Sequence, residues 1–228
     1  RGGLATFGYP VSRTFQLLGF TSQVFQRQAM QLAPDGSVRL LNLLDPGLLP
    51  FTQFNGSAFP AADPKMVAAA PAAGSPGYAD AIVQFVQASA PDSFQNKPTN
   101  FFKTFQGTVS LGQAFPNGGS ASLLPLLNLE VWGAPTSPPM VDPTNSNFIY
   151  QRFQRGVMHF DASCNCTQGI LFGDYLKEIL LNRGLSSDLA SEATHSPLLQ
   201  QYDPDSPTWR MRPDAIPGTD LTFAFEKG

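Results

Sequence analysis

Charged side chains are scarce in this 228-residue sequence, at 14% of all residues, whereas soluble domains usually carry roughly 25%. Lysine and arginine form no cluster, and the formal net charge is -3. Because nucleic acids and anionic lipid surfaces are bound through basic patches, the sequence excludes both as partners. The surface must instead be rich in serine, threonine, asparagine and glutamine, a composition typical of exported bacterial surface proteins.

Long apolar segments are also absent. No run approaches the roughly 18 residues that a membrane-spanning helix needs, and the first residues lack the basic-then-apolar order of a signal peptide. We therefore expect no insertion into a membrane. Since the chain starts within what reads as a repeat, we also expect a longer precursor.

Cysteine occurs only twice, as Cys164 and Cys166, so a long-range disulfide framework is excluded. With His159 and Asp161 these thiols form H-x-D followed by C-x-C, and thiolates with an imidazole could hold Zn or Cu. The set of ligands is incomplete, however, because no second cysteine–histidine cluster exists. The alternative interpretation is an exposed hairpin loop whose cysteines are oxidised in an extracellular setting. We expect no metal and no cofactor.

Hydrophobic residues are well represented, at 42% of the chain, and 11% of residues are aromatic, mostly phenylalanine. A chain of this length and composition can bury a substantial core. Glycine (20 residues) and proline (21 residues) recur without a fixed period, which indicates many turns and ordered loops.

The most patterned stretch occurs twice. Residues 151–158 and 23–30 both read Q-x-F-Q-R-x-x-M. Each copy is preceded by a similar turn, F-G-Y-P-V-S at 7–12 and W-G-A-P-T-S at 132–137. Glycine can take a positive φ and proline fixes its own φ, so both turns should reverse the chain. The sequence therefore predicts two copies of one unit, and packing of the two as pseudo-twofold halves of one domain is compatible with it.

Hydrophobic periodicity places strands and helices around these copies. The predicted strands are 15–18 and 23–32 with a loop at 19–22, then 148–150 and 152–160, and a last short strand at 221–225. The predicted helices are 78–90, a helix capped by Thr99, 123–131, and 167–181 with Leu171, Phe172, Tyr175, Leu176, Ile179 and Leu180 inward.

These elements predict an α+β fold of two β-hairpin-containing repeats with short helices, a helical middle region and many ordered loops. We assign residues 1–50 to the first repeat and 51–122 to the helical and loop-rich middle. Residues 123–184 form the second repeat, and 185–228 a proline-rich tail with a short strand. Together they should make one compact domain.

With both copies in view, the chain resembles the LGFP-type repeats of bacterial cell-surface and cell-wall-associated proteins. Those repeats combine a short helix, a G-x-P turn followed by a small hydroxyl residue, and an aromatic followed by Gln/Glu-Arg. The matching residues are Phe7, Gly8, Pro10, Ser12, Phe25, Gln26 and Arg27 in the first copy and Trp132, Gly133, Pro135, Ser137, Phe153, Gln154, Arg155 and Gly156 in the second. The match covers about a third of the chain, and the copies are not in tandem.

This resemblance implies an exported, non-catalytic module at the cell surface or outside the cell that binds or anchors to peptidoglycan or a related envelope glycan. The residues expected to bind the glycan are Tyr9, Gln26, Arg27, Trp132, Gln154 and Arg155. Flat aromatic rings stack on the apolar face of a sugar ring, and arginine and glutamine donate forked hydrogen bonds to hydroxyls or carboxylates. The structural interpretation of the same residues is that they fix turns and fill the core.

Two other functions remain open. A glycan hydrolase would need two carboxylates facing a cleft, and the residues to test are Glu130, Asp161 and His159, with Asp142 and Asp174 also near the second copy. A serine nucleophile is not supported, because the G-x-S-x-G motif does not occur. A structural subunit of a secreted surface layer or filament would instead self-associate through its many phenylalanine and proline residues.

Overall fold

Two four-stranded antiparallel sheets, one two-stranded sheet and several short helices make up the described part of the chain, so the predicted α+β class is confirmed. The structure is a computed structural model that describes residues 3–45, 48–49, 51–181 and 186–193. The predicted strand at 221–225 lies outside the described residues, as does the Asp174 side chain. The strands are β1 (Phe15–Leu17), β2 (Phe20–Val24), β3 (Ala29–Leu32), β4 (Val38–Leu40), β5 (Gln53–Phe54), β6 (Ser57–Ala58), β7 (Met140–Val141), β8 (Phe148–Arg152), β9 (Val157–Asp161) and β10 (Cys166–Gly169).

Helices precede, separate and follow the two sheets. They are α1 (Gly3–Phe7), α2 (Pro64–Ala69), α3 (Tyr78–Ser89), α4 (Phe101–Gly107), α5 (Leu111–Ala114), α6 (Leu124–Trp132), α7 (Phe172–Leu181) and α8 (Ser187–Ala193), with a 3-10 helix at Ala121–Leu123. The predicted helix of the middle region is confirmed as α3, which buries Ile82 and Val86 one turn apart. The middle region, residues 51–122, also contains the small β5–β6 hairpin.

Both sheets are meanders in which each strand pairs with the next along the chain. The first has the order β1-β2-β3-β4 and the second β7-β8-β9-β10. Equivalent pairs hold the two central strands in each sheet, with Gln23 opposite Met30 and Gln151 opposite Met158. The first and last residues of the Q-x-F-Q-R-x-x-M motif are therefore cross-strand neighbours.

This pairing corrects the prediction that the aromatic–Gln–Arg segment lies within a strand. In both copies it is a tight turn between two strands, closed by a backbone bond from Phe25 N to Gln28 O (2.7 Å) and from Phe153 N to Gly156 O (2.8 Å). Apolar and polar residues do not alternate regularly along the predicted strand 23–32, and the turn explains why. A continuous strand would have kept its core-facing residues in one register.

The first hairpin also differs from the prediction, because the expected loop at 19–22 is largely strand β2. The reversal is made by Leu18 and Gly19 alone, with φ of 54° and 84°. Two consecutive positive φ values match the twist of antiparallel strands, so a two-residue connection suffices. At Leu18 this conformation is adopted by a non-glycine residue, and no sequence signal marks it.

Two predicted helix starts are wrong. The helix predicted over 167–181 begins only at Phe172, because residues 166–169 pair with β9 as a fourth strand, and Leu171 is exposed. Thr99 does not cap α4. Its hydroxyl donates to the carbonyl of Pro91 (2.8 Å), and the N-cap position is occupied by Asn100.

The two copies dock on each other reciprocally. Leu44 N of the first copy donates to Gln154 O of the second (3.0 Å), and Gly173 N of the second donates to Gln26 O of the first (2.9 Å). The two donors occupy equivalent places in their copies. Leu41 and Ile170 each extend their own sheet by one backbone hydrogen bond, and Leu44 and Gly173 follow them by three residues. Reciprocal contacts of this kind are expected of two pseudo-twofold halves.

The core follows from this packing. One cluster of buried side chains joins the first sheet to α7 and the segment around Phe51, and it also takes in Tyr150 and Val157 from the second sheet. The other joins the second sheet to α3, α4 and α6 around Phe105 and Phe153. The boundaries assigned to the four chain segments remain predictions.

Candidate functional site

The Gly-x-Pro turns are built in the same way in both copies. Tyr9 N donates to Gln26 Oε1 (3.0 Å) in the first copy, and Ala134 N donates to Gln154 Oε1 (2.9 Å) in the second. A Cβ at Gly8 would lie 2.6 Å from Gln26 Oε1, so the glutamine can approach only because this residue is glycine. Gln26 and Gln154 are predicted to donate hydrogen bonds to a ligand, and the structure shows that the amide oxygen of each accepts a bond within its own turn.

Trp132 does not present its ring to solvent, so its predicted role as an exposed stacking surface is wrong. The side chain is 7% exposed. Its indole Nε1 donates to Thr108 Oγ1 (2.7 Å), and its ring packs against Phe153 and over Gly169. In the first copy Phe7 packs on Phe25 in the same way. Trp132 is therefore the core residue of its repeat.

The first copy leaves two of the predicted binding residues apart from each other. Tyr9 is 64% exposed at its turn and lines none of the clefts described below. Arg27 borders a small cavity of about 240 Å³ between α1 and α4, together with Thr6, Thr108 and Trp132. The structure does not bring these two residues into one site.

Arg155, by contrast, borders two adjoining clefts. The first, named here the Tyr78 cleft, has a volume of about 450 Å³. It lies where the middle region meets the turn of the second copy and the end of the first copy. Its lining residues are Asn42, Ala70, Pro71, Ala73, Tyr78, Ile82, Leu126, Leu129, Glu130, Gly133, Ala134, Gln154 and Arg155.

The second, named here the Met30 cleft, has a volume of about 610 Å³ and lies between the first sheet and α6. Glu130 and Arg155 line both clefts, so these two residues form their common wall. The remaining lining residues are Phe7, Met30, Ser37, Val38, Arg39, Leu40, Val109, Leu127 and Val131, most of them apolar.

The position of Arg155 is fixed by its own repeat. Its backbone N donates to Trp132 O (3.0 Å), and its Nη1 donates to Leu129 O near the end of α6 (2.8 Å). A cation at the carboxyl end of a helix is favoured by the helix dipole. Arg155 Nε is buried and has no hydrogen-bond partner among the described residues.

Burial outweighs the nearby carboxylates in its effect on the pKa of Arg155. Burial lowers the pKa of the Arg155 guanidinium, and the charges of Asp45 and Glu130 act in the opposite direction. Burial likewise raises the pKa of Asp45, which accepts a hydrogen bond from Asn42 and lies near Arg155. The two clefts therefore share one largely buried guanidinium, and Asp45 and Glu130 lie close enough to act on its charge.

The residues proposed for a hydrolase are not brought together. Glu130 lies on α6 and lines both clefts, whereas Asp161, the last residue of β9, lines neither. Asp161 instead accepts bonds from Ser163 N (2.8 Å) and Oγ (2.7 Å), which lower its pKa. The geometry of the described residues does not favour paired-carboxylate catalysis by this set.

His159 is half-buried on β9, with its ring near Phe148 and Tyr150. Its Nδ1 is buried without a hydrogen-bond partner among the described residues. Burial lowers the pKa of His159 below its ordinary value of 6.5, and the opposing effect of Asp161 is smaller. The folded protein therefore favours the neutral imidazole.

This shift predicts a pH-dependent stability. Between the lowered folded-state pKa and 6.5, the unfolded chain binds more protons than the folded chain, so the free energy of unfolding falls as the pH drops through that window. We expect His159→Gln to show a smaller loss than the wild type between about pH 7.5 and about pH 5 in urea unfolding. Identical losses in the two proteins would contradict the assignment.

Cys164, in the turn after β9, forms a disulfide with Cys166, the first residue of β10. Bonded sulfurs are not available as thiolate ligands, and no group of three or more His, Cys, Asp or Glu residues suited to a metal is found in the described part of the chain. The structure thus has the oxidised hairpin loop of the alternative interpretation. His159 and the two cysteines do not assemble the metal site considered from sequence.

Sequence reasoning missed Tyr78 and Asn42 as cleft residues. Tyr78 is the first residue of α3 and belongs to no sequence motif, and Asn42 follows the first sheet with no motif of its own. The only local signal is an aromatic at the first position of a helix.

Asp142, another carboxylate near the second copy, is buried. Its Oδ1 accepts hydrogen bonds from Thr144 N and Oγ1.

Among the described helices none combines the length and apolar character needed to cross a bilayer. In comparisons with known proteins, no family model, no curated protein and no solved structure matches this chain.

Proposed function

We propose that the protein is an exported, non-catalytic cell-surface module that binds an envelope polysaccharide, peptidoglycan or a related glycan, through the Tyr78 cleft. The observation that carries the proposal is the composition of this cleft. An aromatic residue, a guanidinium, a carboxylate and an amide, from Tyr78, Arg155, Glu130 and Asn42, converge in a space of about 450 Å³.

This set has the chemistry that sugar recognition requires. A sugar ring has an apolar face of C–H groups, which stacks on an aromatic ring, and an edge of hydroxyls, which needs both donors and acceptors. Pro71 and Leu126 extend the apolar wall beside Tyr78. A volume of about 450 Å³ lies within the usual range of roughly 300–1,000 Å³ for small-molecule sites.

The location also relates the site to the repeat. The cleft floor includes Gly133 and Ala134 of the second Gly-x-Pro turn, so the turn that identifies the resemblance borders the proposed site. The corresponding turn of the first copy presents Tyr9 to solvent instead. The second copy thus contributes Glu130, Arg155 and its turn to the cleft, the first copy contributes Asn42, and the middle region contributes Tyr78.

The proposal is tested by retention on insoluble glycans. Purified protein is mixed with peptidoglycan sacculi and with insoluble plant polysaccharides, and the bound fraction is measured. We expect Tyr78→Ala to weaken retention at least about tenfold, because an aromatic anchor in a binding site contributes 2 kcal/mol or more. Thermal unfolding of the variant establishes that the protein remains folded.

Tyr9→Ala is the matched control, since it removes the same side chain from a more exposed place outside the cleft. Retention of this variant should equal that of the wild type. If Tyr78→Ala binds as well as the wild type, or Tyr9→Ala is the weaker of the two, the Tyr78 cleft is not the glycan site.

A further inference from the structure

Apolar side chains lie partly exposed on the outer face of the first sheet. Met30 and Leu32 of β3 project to one side of the sheet, and Leu40 and Val38 of β4 lie opposite them. Leu32 is 47% exposed and Val38 is 54% exposed. These four residues are named here the β3–β4 patch. Single exposed apolar residues are common, but a contiguous group of them indicates an interaction surface.

The equivalent positions of the second sheet are covered by other parts of the chain. The repeated motif makes Met158 the counterpart of Met30, and two residues further along β9 Phe160 is the counterpart of Leu32. Met158 and Phe160 are at most 1% exposed. Both belong to the buried cluster that includes residues of α3, α4 and α6. The same outer face is therefore buried in one copy and partly exposed in the other.

A pair of equivalent glutamines shows the same difference. Gln151 Nε2 donates to Ser137 O (3.1 Å) and also to Ser89 O at the end of α3 (2.6 Å). Its counterpart Gln23 donates from Nε2 to Ser12 O (3.0 Å). Gln151 is fully buried, whereas Gln23 is half-buried. Helix α3 thus closes over the second sheet at a place where the first sheet stays partly exposed.

Helix α4 provides the rest of the cover over the second sheet. It contacts β10, the counterpart of β4, and it also contacts α6. Its Phe101 and Phe105 are four positions apart, so they lie on one face of the helix, and both are fully buried. Thr167 of β10 donates from its hydroxyl to the carbonyl of Thr99, just before the helix. The second sheet thus shows which element this face accepts, a helix with two aromatic residues at positions i and i+4.

The Met30 cleft is the corresponding space beside the first sheet. Met30, Val38 and Leu40 bound it on the sheet side, and Leu127 and Val131 of α6 bound it on the other. Val131 is also part of the buried cluster that includes α4, so the cleft continues an interface that α6 already forms. A helix placed on the β3–β4 patch would contact β4 and α6, as α4 contacts β10 and α6.

We propose that the β3–β4 patch and the Met30 cleft bind an amphipathic helix of a partner protein, with two aromatic residues at positions i and i+4 entering the cleft. This is recognition of a helix in an apolar groove. A second copy of the chain does not offer α4 for this role, because Phe101 and Phe105 are buried in its own core. The proposal is independent of glycan binding, since Tyr78 does not line the Met30 cleft.

Two synthetic peptides of identical composition test the proposal. Each has about 18 residues, long enough for a helix in water, and consists of alanine, glutamate and lysine with two phenylalanines. The phenylalanines are at i and i+4 in the first peptide and at i and i+2 in the second, where they point to different faces. Binding of each labelled peptide to the whole protein is measured by fluorescence anisotropy. We expect the i, i+4 peptide to bind about tenfold or more tightly than the other.

Leu32→Thr combined with Val38→Thr removes the exposed part of the patch. Threonine is β-branched and suits a strand, so the sheet should be retained. We expect this double variant to bind the i, i+4 peptide about tenfold or more weakly than the wild type. The matched control is Leu123→Thr combined with Val67→Thr, which changes a leucine and a valine that are 45% and 37% exposed and that do not line the cleft. Its affinity should equal that of the wild type.

Three results would overturn the proposal. The first is equal binding of the two peptides, or binding of neither. The second is equal affinity of the wild type and the patch variant for the i, i+4 peptide. The third is a particle size that grows with protein concentration in the wild type but not in the patch variant, which would assign the patch to a second copy of the chain. Tyr78→Ala should bind the peptide like the wild type, so the peptide and glycan experiments fail or succeed separately.

Discussion

Replacing Gly173 by alanine is expected to lower the free energy of unfolding by about 3 kcal/mol, the upper range for overpacking. A Cβ at this position would lie 2.0 Å from the carbonyl oxygen of Phe25 and 3.0 Å from Gln26 Cα. Both atoms belong to the backbone and cannot rotate away. Helix α7 would have to move, and the bond from Gly173 N to Gln26 O (2.9 Å) would be lost.

Gly112→Ala is the matched control for this substitution. Gly112 lies in α5, and a Cβ there would have no atom within 4 Å. Alanine is the better helix former, so the free energy of unfolding should stay the same or rise by up to about 1 kcal/mol. Urea unfolding measures both variants. Equal stability of Gly173→Ala and the wild type would mean that the two copies are not in contact at this point.

Replacing Arg152 by methionine is expected to cost about 4 kcal/mol of stability. Arg152 is 2% exposed, and its guanidinium donates to the carbonyls of Phe51 and Leu49, the latter at 2.7 Å. Burial lowers the pKa of Arg152 to about 10, so the side chain remains charged near neutral pH. Methionine fills similar space but leaves these buried carbonyls without their donor.

The same substitution at Arg39 provides the comparison. Arg39 pairs with Asp35 on the surface (2.7 Å), and both side chains are more than half exposed. Exposed ion pairs contribute little, so Arg39→Met should leave the urea midpoint nearly unchanged. If the two arginine variants lose equal stability, the buried hydrogen bonds of Arg152 do not hold the segment around Phe51 in place.

The duplication could be predicted from sequence because it rests on local physics. Gly8 and Gly133 take φ of 74° and 70°, and each admits the glutamine that follows its turn. These requirements act within one repeat and leave the same letters in both copies. The helix α3 was predictable for the same reason, since its apolar stripe has the helical period.

What the sequence did not predict depends on contacts between distant residues. The turn at Phe25–Gln28 looks like part of a strand until its pairing is known, and the strand at 166–169 looks like the start of a helix until β9 lies beside it. Trp132 has the flat aromatic ring that stacking on a sugar requires, but packing against Phe153 and Gly169 buries that ring. Only tertiary structure decides such cases.

The site was predictable in part. Arg155 and Glu130 were candidates from sequence, under two different functions, and the structure places them in one wall. Asn42 and Tyr78 come from the first copy and from the middle region, 36 residues apart in the numbering. No local pattern links residues that only the docking of separate segments brings together.

The central claim is that two copies of one unit fold as a single body with the Tyr78 cleft at their junction. Native-state hydrogen exchange, followed by NMR, tests it most directly at the reciprocal donors Leu44 and Gly173. The account predicts that both amides exchange only by global unfolding, with the same opening free energy as the amides of Phe25 and Phe153 in the two hairpins. Faster exchange at Leu44 and Gly173, with different opening free energies for the two hairpins, would contradict it.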